Sequence, residues 1–313
     1  MKEKEDTFFT IDNSLFLRGL GTILVVLAHY AQWYISMGNQ NIFWLLLSKT
    51  GRYGVAIFFF VSGYGIVCSA RNGLDIKWIG RRIINVYLPY LCIQGFIHVL
   101  SRTEWTLRRM LRYIFGLDAW FVFVIILFYI LFFVVWKYGK RKMLWMGVGI
   151  VGISLALALA MKDSVWYASN IAFLIGVAVA QCNQEFFAWV GRKKSVFCGF
   201  MLILFLICGI FYSYFMNRLQ SLYLLGKIMA SAVWVIFVIS LFPMKIEGMR
   251  YVKKIGKSSL EIYLIHGFII QELSTIFPQT ETIIVLIMSL VLALFAGQCV
   301  HYLSKRFFFN RRL

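Results

Sequence analysis

Charged residues, proline and paired cysteines are all scarce in this sequence. Of its 313 residues, only 14% are charged and three are proline, whereas 61% are hydrophobic. Soluble globular domains carry about a quarter charged residues, so the composition excludes that class. The mean hydropathy of +0.79 instead predicts an all-α polytopic membrane protein.

The six cysteines are scattered through apolar stretches and include no C-x-x-C pair. We interpret them as small buried side chains and predict neither disulfides nor a metal site. Acidic residues are also few, which leaves a net charge of +19. Because excess Lys and Arg in a membrane protein ordinarily sets its orientation, this charge predicts contact with membrane lipid and no nucleic-acid partner.

Hydropathy divides the chain into ten segments of the length that a helix needs to cross a bilayer. These segments are Ser14–Tyr34, Ile42–Ser69, Ile83–Leu100, Asp118–Trp136, Met143–Met161, Val165–Gln181, Ser195–Met216, Leu219–Phe242, Ser258–Ile276 and Thr282–Leu303. Most of the 32 Lys and Arg fall in the terminal segments and in alternate loops. We therefore expect both termini in the cytoplasm of a bacterium, in a multi-pass plasma-membrane protein. We also expect one membrane domain over residues 1–313, without a separate soluble domain or a cleaved signal.

Two segments depart from this simple pattern. The second span is overlong and has a polar break, Lys49 to Arg52, near its start. Four arginines between residues 102 and 112 fall in a loop that should lie outside, in a pattern typical of an amphipathic helix on a membrane surface. Either this segment lies on the outer face or the third span does not cross fully.

Two ionisable residues, Arg18 and His29, lie within the first span with only uncharged residues between them. Eleven steps of about 100° bring both side chains to one helix face, with their Cα atoms about 16 Å apart along the axis. Ionisable side chains at membrane depth are costly and usually functional. The alternatives are an arginine that snorkels to the helix end and a histidine that only bonds a neighbouring helix.

The second span contains further polar candidates. Ser62 lies beside Gly63 and Gly65, and we favour a helix-packing role for these residues over catalysis because the sequence shows no base for the serine. Lys49 and Arg52 lie at the predicted outer mouth of the same span. An acidic substrate, an internal carboxylate or a lipid phosphate would each pair with them.

A basic cluster follows the second span, and polar residues open the ninth. The cluster consists of Arg71, Lys77, Arg81 and Arg82. Guanidinium groups match phosphate oxygens, so the cluster suits the phosphates of a nucleotide, with topological charge and lipid contact as alternatives. In the ninth span Glu261 and Tyr263 fall in the inner half and His266 falls in the middle, where packing and function are equally good interpretations.

Five motifs, in order along the chain, resemble the acyltransferase 3 family. They are Arg18-x10-His29, Phe58-Phe59-Phe60-Val-Ser62-Gly63-Tyr-Gly65-Ile, Arg81-Arg82…Pro89-Tyr90, Trp120…Phe128-Tyr129 and Gly256-Lys-Ser-Ser-Leu-Glu-Ile-Tyr-Leu-Ile-His266. One departure is Asn85, at a position where family members commonly have a second arginine three residues after the first.

The resemblance implies an integral membrane O-acyltransferase that moves an acyl group, usually acetyl, from cytoplasmic acetyl-CoA or another acyl-CoA. The acceptor would be a hydroxyl of a cell-surface or exported glycan, and no metal is implied. By the family motifs, Arg18 would help to bind the donor and His29 would be the acid/base or acyl-relay group. Arg82 would meet the CoA phosphates, with Arg81 and Lys77 beside it. The substrate-binding candidates are Lys49, Arg52, Ser62, Glu261, Tyr263 and His266.

The alternative function is transport or flipping of a lipid-linked glycan or a small anion, with Arg18 and His29 as the substrate and proton path. Transporters often contain inverted repeats and paired spans interrupted by Gly or Pro. This sequence has no internal repeat, and its three prolines, Pro89, Pro243 and Pro278, lie at the ends of predicted spans. An enzyme is therefore favoured.

Overall fold

The chain is almost entirely helical in the computed structural model, which describes residues 9–38, 41–71, 73–160, 162–242, 249–277 and 282–306. The α-helices are α1 Ile11–Ser36, α2 Ile42–Ser48, α3 Thr50–Ala70, α4 Ile76–Leu100, α5 Leu107–Ile114, α6 Trp120–Tyr138, α7 Lys142–Leu159, α8 Ile171–Gln181, α9 Asn183–Arg192, α10 Lys194–Phe215, α11 Gln220–Ser240, α12 Arg250–Lys257, α13 Ser259–Ile276 and α14 Thr282–Ser304. A single 3-10 turn, Ser164–Trp166, precedes α8. The predicted all-α fold is confirmed for the residues described.

Within the same residues, nine helical segments are long and apolar enough to cross a membrane. They match nine of the ten predicted spans, and the predicted ninth span, Ser258–Ile276, is not among them. The beginning of α1 and the end of α14 lie at one end of the bundle, because Arg18 and His301 line the same cavity. The terminal residues 1–8 and 307–313 lie outside the described residues, and the cytoplasmic location of both termini stays a prediction.

The predicted ninth span is helix α13, and it lies alongside two of the nine membrane-spanning helices. Near one end of the bundle Glu261 accepts a hydrogen bond from His301 of α14. Farther along, His266 bonds His29 of α1. Leu273, near the far end of α13, is buried among residues from the last part of α1. Buried Glu261 and His266, together with exposed Gln271 and Glu272, lower the hydropathy of α13, and the helix lies alongside its neighbours over its length.

The predicted polar break in the second span is confirmed. Helix α2 ends at Ser48, α3 begins at Thr50, and Lys49 lies between them. The Thr50 hydroxyl donates to the carbonyl oxygens of Leu47 at 2.7 Å and Leu24 at 3.1 Å. The break is therefore tied to α1 by a side-chain hydrogen bond.

The predicted sixth span, Val165–Gln181, begins later as a helix than the sequence indicates. Helix α8 starts at Ile171 and has only 11 residues. The reason is a buried polar pair just before it. The Ser169 hydroxyl donates to the Arg52 carbonyl oxygen at 3.3 Å, and the Asn170 amide donates to the Ser154 hydroxyl at 3.0 Å. These bonds to other helices hold the preceding backbone in turns.

Helix α3 lies at the centre of the core, and every residue from Tyr53 to Val61 is buried. Glycines allow its close contact with α8. A Cβ atom added to Gly63 would lie 2.2 Å from the Phe173 carbonyl oxygen, and one added to Gly176 would lie 2.2 Å from the Phe60 carbonyl oxygen. The predicted packing role therefore holds for Gly63. Gly65, by contrast, has no neighbour within 4 Å of such an atom.

The third span, α4, has 25 residues, which correspond to a length of about 37 Å. Its length permits a full crossing of a bilayer, and the location of residues 102–112 stays a prediction. The arginine-rich helix α5 follows it and has no buried residue. Its Tyr113 hydroxyl donates to the Leu91 carbonyl oxygen of α4 at 2.6 Å, which holds α5 against the second half of that helix.

Candidate functional site

Three cavities meet around Tyr263 in the interior of the bundle. The Arg18 cavity, about 280 Å³, contains Arg18 in its lining. The cationic cavity, about 440 Å³, is lined by His29, Lys49, Arg52 and Lys227 among others. The third cavity, about 320 Å³, is also bordered by His29. Because Tyr263 borders all three, it separates the part of the bundle at Arg18 from the part at His29.

Basic and amide side chains from three helices surround the Arg18 cavity. Arg18 comes from α1, Arg82 and Asn85 from α4, and Lys257 from the end of α12. The Arg82 guanidinium donates to the Gly65 carbonyl oxygen at 3.5 Å, a contact that the uncovered backbone at Gly65 permits. Three cations in one cavity make it a suitable site for an anionic group.

Two of the predicted donor-binding residues lie outside this cavity. Lys77 and Arg81 are exposed on the first turns of α4 and do not line it. Their contact with a donor stays a prediction. Lys257, which the sequence analysis did not single out, lines the same cavity as Asn85, where family members commonly have arginine. The cavity thus contains a third cation although Asn85 contributes none.

Ser62 and Glu261 line the Arg18 cavity and do not line the cavities at His29. The Glu261 carboxylate accepts a hydrogen bond from His301 Nδ1 at 2.8 Å. This bond ties α13 to α14 and occupies one carboxylate oxygen. His301 Nε2 is buried and has no hydrogen-bond partner among the described residues.

His29 and His266 form a directly bonded pair at the far side of Tyr263. Their nitrogen atoms, His29 Nδ1 and His266 Nε2, are 3.0 Å apart, and the ring centroids are 4.8 Å apart. Each ring is also held by a carbonyl of its own helix. His29 Nδ1 lies 3.0 Å from the Val25 oxygen, and His266 Nδ1 lies 3.1 Å from the Ile262 oxygen.

These contacts determine which nitrogen atoms carry protons when both rings are neutral. A carbonyl oxygen can only accept, so His266 Nδ1 must donate to Ile262 and His29 Nδ1 must donate to Val25. His266 Nε2 is then the unprotonated nitrogen and accepts from the same His29 Nδ1–H. His29 Nε2 is left with a free lone pair. Because His29 is exposed to the cavities, this lone pair is available to a substrate proton.

The cationic cavity combines predicted and unpredicted residues. Lys49 and Arg52, at the break between α2 and α3, both line it, and their contact with a substrate stays a prediction. Lys227 of α11 also lines it. An internal carboxylate was one alternative for pairing with Lys49 and Arg52, and the described lining residues include none.

The third cavity lies between α4, α13 and the start of α6. Asp118 lines it, but the Asp118 carboxylate accepts from His98 Nε2 at 3.2 Å and from Arg112 Nε at 3.2 Å. Gln94 also lines this cavity and donates to the Leu264 carbonyl oxygen at 3.1 Å. Asp118 and Gln94 therefore already have hydrogen-bond partners within the protein.

Tyr263 is held in its dividing position by aromatic contacts. Its ring packs edge-on against Phe121, with 5.5 Å between centroids, and lies 5.8 Å from the His266 ring. Phe121 lines the Arg18 cavity, and the preceding Trp120 lines both cavities at His29. The start of α6 and Tyr263 therefore form the boundary that a molecule extending from Arg18 to His29 would pass.

Within the residues described, no group of three or more His, Cys, Asp or Glu side chains is arranged to hold a metal ion. Comparison with curated proteins and comparison with solved structures each gave no match. The acyltransferase 3 family model, described as an acyltransferase domain, matches residues 12–301. This range contains Arg18, His29, Tyr263 and His266, and nearly the whole chain. The chain belongs to the acyltransferase 3 family and is a membrane acyltransferase.

Proposed function

We propose that this acyltransferase moves an acetyl or other short acyl group from acyl-CoA to a hydroxyl of a cell-surface or exported glycan. One observation carries the proposal. His29 has a free Nε2 lone pair beside Tyr263, where the Arg18 cavity meets the cavities at the other side of the bundle. Membership of the family favours this reaction over the alternative of transport.

The donor enters at the Arg18 end. Along α6 the Arg18 cavity extends from Tyr129 to Phe121, eight residues or about 12 Å of helix. A narrow extended chain such as the pantetheine arm of CoA suits such a space. Arg18, Arg82 and Lys257 would hold its polar and phosphate groups, because cations form strong charge-assisted hydrogen bonds to phosphate oxygens. The exposed Lys77 and Arg81 would meet phosphates outside the cavity.

The transfer needs one base at the boundary. His29 Nε2 takes the proton of the acceptor hydroxyl while the hydroxyl oxygen attacks the thioester carbonyl carbon. The new C–O bond forms, the C–S bond breaks, and the proton passes from His29 Nε2 to the departing CoA thiolate. The products are an ester on the acceptor and free CoA, and His29 returns to its neutral form.

His266 acts on His29 and does not itself need to touch substrate. Its Nε2 accepts the His29 Nδ1–H and keeps the His29 ring in the orientation and tautomer that leave Nε2 free. The same hydrogen bond becomes stronger when His29 is positively charged during transfer. His266 is therefore a positioning residue, in the place that a carboxylate occupies in many histidine-containing catalytic sites.

The test is ester-linked acetate in cell envelopes. Wild type, His29→Ala and Ser36→Ala would be expressed at matched levels in one bacterial host, and acetate released by mild base from washed envelopes would be quantified. Ser36 is an exposed residue near the end of the same helix. We expect additional ester-linked acetate with wild type and Ser36→Ala only. Equal acetate from wild type and His29→Ala, with both above cells without the protein, would contradict the role of His29.

A further inference from the structure

Three cations line the cationic cavity without a carboxylate among the described lining residues. They are Lys49, Arg52 and Lys227. Asp163, an exposed residue before α8, forms no ion pair with any of them in the described part of the chain. Like charges gathered at membrane depth repel each other and are costly to desolvate. A group of opposite charge, supplied by a ligand, would remove this cost.

Neutral side chains hold Lys227 in the cavity. Its Nζ donates to the Ser164 hydroxyl at 2.5 Å and lies 4.7 Å from the centroid of the Tyr223 ring. A hydroxyl and an aromatic face orient the ammonium group, and the Asp163 carboxylate acts on it from a distance without forming an ion pair. The ammonium group keeps donor capacity for a further acceptor, since it has three N–H bonds.

Arg52 is held in the same way, between two aromatic rings. Its guanidinium carbon lies 4.9 Å from the centroid of Tyr53 and 4.7 Å from that of Tyr212. One terminal nitrogen, Nη2, donates to the Tyr53 hydroxyl at 3.1 Å. The Nε atom is buried and has no hydrogen-bond partner among the described residues. A fixed guanidinium with unused donors is suited to an oxyanion.

The surroundings favour an anion further. Ser169 lines the cavity, and helix α8 begins two residues later at Ile171. The positive end of the α8 dipole is therefore beside the cations. The volume of about 440 Å³ falls within the range of about 300–1,000 Å³ that is usual for small-molecule sites. His29 borders the same cavity, so a ligand bound there lies next to the proposed base.

We propose that the cationic cavity binds the phosphate or carboxylate of an acidic acceptor, a sugar whose hydroxyl is acylated while its anionic group binds Lys49, Arg52 and Lys227. This inference rests on the proposed function, because it assigns the substrate class of the same site.

The first experiment measures binding without catalysis. The full chain, purified in detergent, would be titrated with glucose, glucose 6-phosphate and glucuronate. We expect wild type to bind each acidic sugar at least about tenfold more tightly than glucose. Arg52→Gln and Lys227→Gln should each weaken binding of the acidic sugars about tenfold and leave that of glucose unchanged. The difference between glucose 6-phosphate and glucuronate identifies the preferred anion.

The matched control is Arg218→Gln. Arg218 is exposed in the connection between α10 and α11, lies over the Tyr214 ring, and does not line the cavity. This variant should bind all three sugars as wild type does. Acetyl-CoA binding serves as the folding check, and Arg52→Lys, which keeps the charge, replaces Arg52→Gln if that variant does not fold. Equal affinity of wild type for glucose and the acidic sugars would overturn the proposal.

Two further measurements distinguish an acceptor site from a lipid site and from a cavity with no role in transfer. If nanodiscs that contain phosphatidylglycerol abolish the sugar binding seen in detergent, the cavity is a lipid headgroup site and the acceptor assignment is overturned. Thiol release from acetyl-CoA then tests the chemistry with each sugar. Transfer to glucose as fast as to the acidic sugars would keep the proposed function and reject the acidic acceptor. Binding of acidic sugars without transfer would support the anion site and contradict the proposed function.

Discussion

Replacement of His266 by leucine removes the acceptor for the His29 Nδ1–H and leaves the Val25 carbonyl oxygen as its remaining partner. The lost bond is the 3.0 Å contact between the two histidines. A hydrogen bond to a charged group contributes about 1.5–3 kcal/mol, so loss of this one in the charged intermediate should lower kcat about 10- to 100-fold. KM for acyl-CoA should change little, because His266 does not line the Arg18 cavity.

The assay is release of CoA thiol by the purified protein with acetyl-CoA and an accepted sugar, at several concentrations of each. His266→Gln is the matched variant, because its amide oxygen can accept from His29 Nδ1–H and should restore part of the rate. A double variant completes the comparison. In the His29→Ala background, His266→Leu should not lower kcat further, since His266 acts only through His29.

Three results would refute this reasoning. His266→Leu with the wild-type kcat would mean that the hydrogen bond has no role in transfer. A loss as large as that of His29→Ala would make His266 a direct participant. A change confined to KM would move His266 to substrate binding, the role that the sequence analysis first assigned to it.

Three more predictions concern the donor cavity and the core. Arg18→Ala should weaken acyl-CoA binding about tenfold in equilibrium titrations and leave the acceptor KM unchanged; the opposite pattern would place Arg18 on the acceptor side. Lys257→Gln should raise KM for acyl-CoA several-fold in the thiol assay, because it removes one of the three cations of the Arg18 cavity, and an unchanged KM would remove Lys257 from the donor site. Gly176→Leu should lower thermal stability by about 1–3 kcal/mol or prevent folding, because its Cβ would meet the Phe60 carbonyl oxygen at 2.2 Å. An unchanged melting temperature would contradict the packing of α3 against α8.

Features set by the periodicity of one helix could be predicted from the sequence. The positions of Arg18 and His29 on a single apolar span follow from the geometry of α1 alone. The break at Lys49 follows from its local run of polar residues. Such predictions succeed because each depends on neighbours within a few turns of the same helix.

Contacts between distant helices could not be predicted in this way. His266 is far from His29 in the sequence, and only the packing of α13 on α1 brings their nitrogens to 3.0 Å. Lys257 enters the Arg18 cavity because α12 packs against α1, where a Cβ added to Gly256 would lie 1.8 Å from the Leu15 carbonyl oxygen. Lys227 could have been recognised as a candidate functional residue, because it is a lysine within a predicted span.

Hydropathy locates the spans but shows neither the irregular backbone nor the polar contacts within them. It places the start of the sixth span at Val165, although buried Ser169 and Asn170 hold the chain in turns until Ile171. It places Ser258–Ile276 among the crossing spans, and α13 covers this segment with Glu261 and His266 buried against other helices. Mean hydropathy does not distinguish a polar side chain that faces lipid from one that faces a neighbouring helix.

The most direct test of the role of His29 compares donor binding with acyl transfer in one preparation. Wild type and His29→Gln would be purified, titrated with labelled acetyl-CoA, and then given an accepted sugar in a single-turnover reaction. The account predicts equal donor affinity and transfer at least about 100-fold slower in His29→Gln. Transfer by His29→Gln at the wild-type rate would contradict the assignment of His29 as the base.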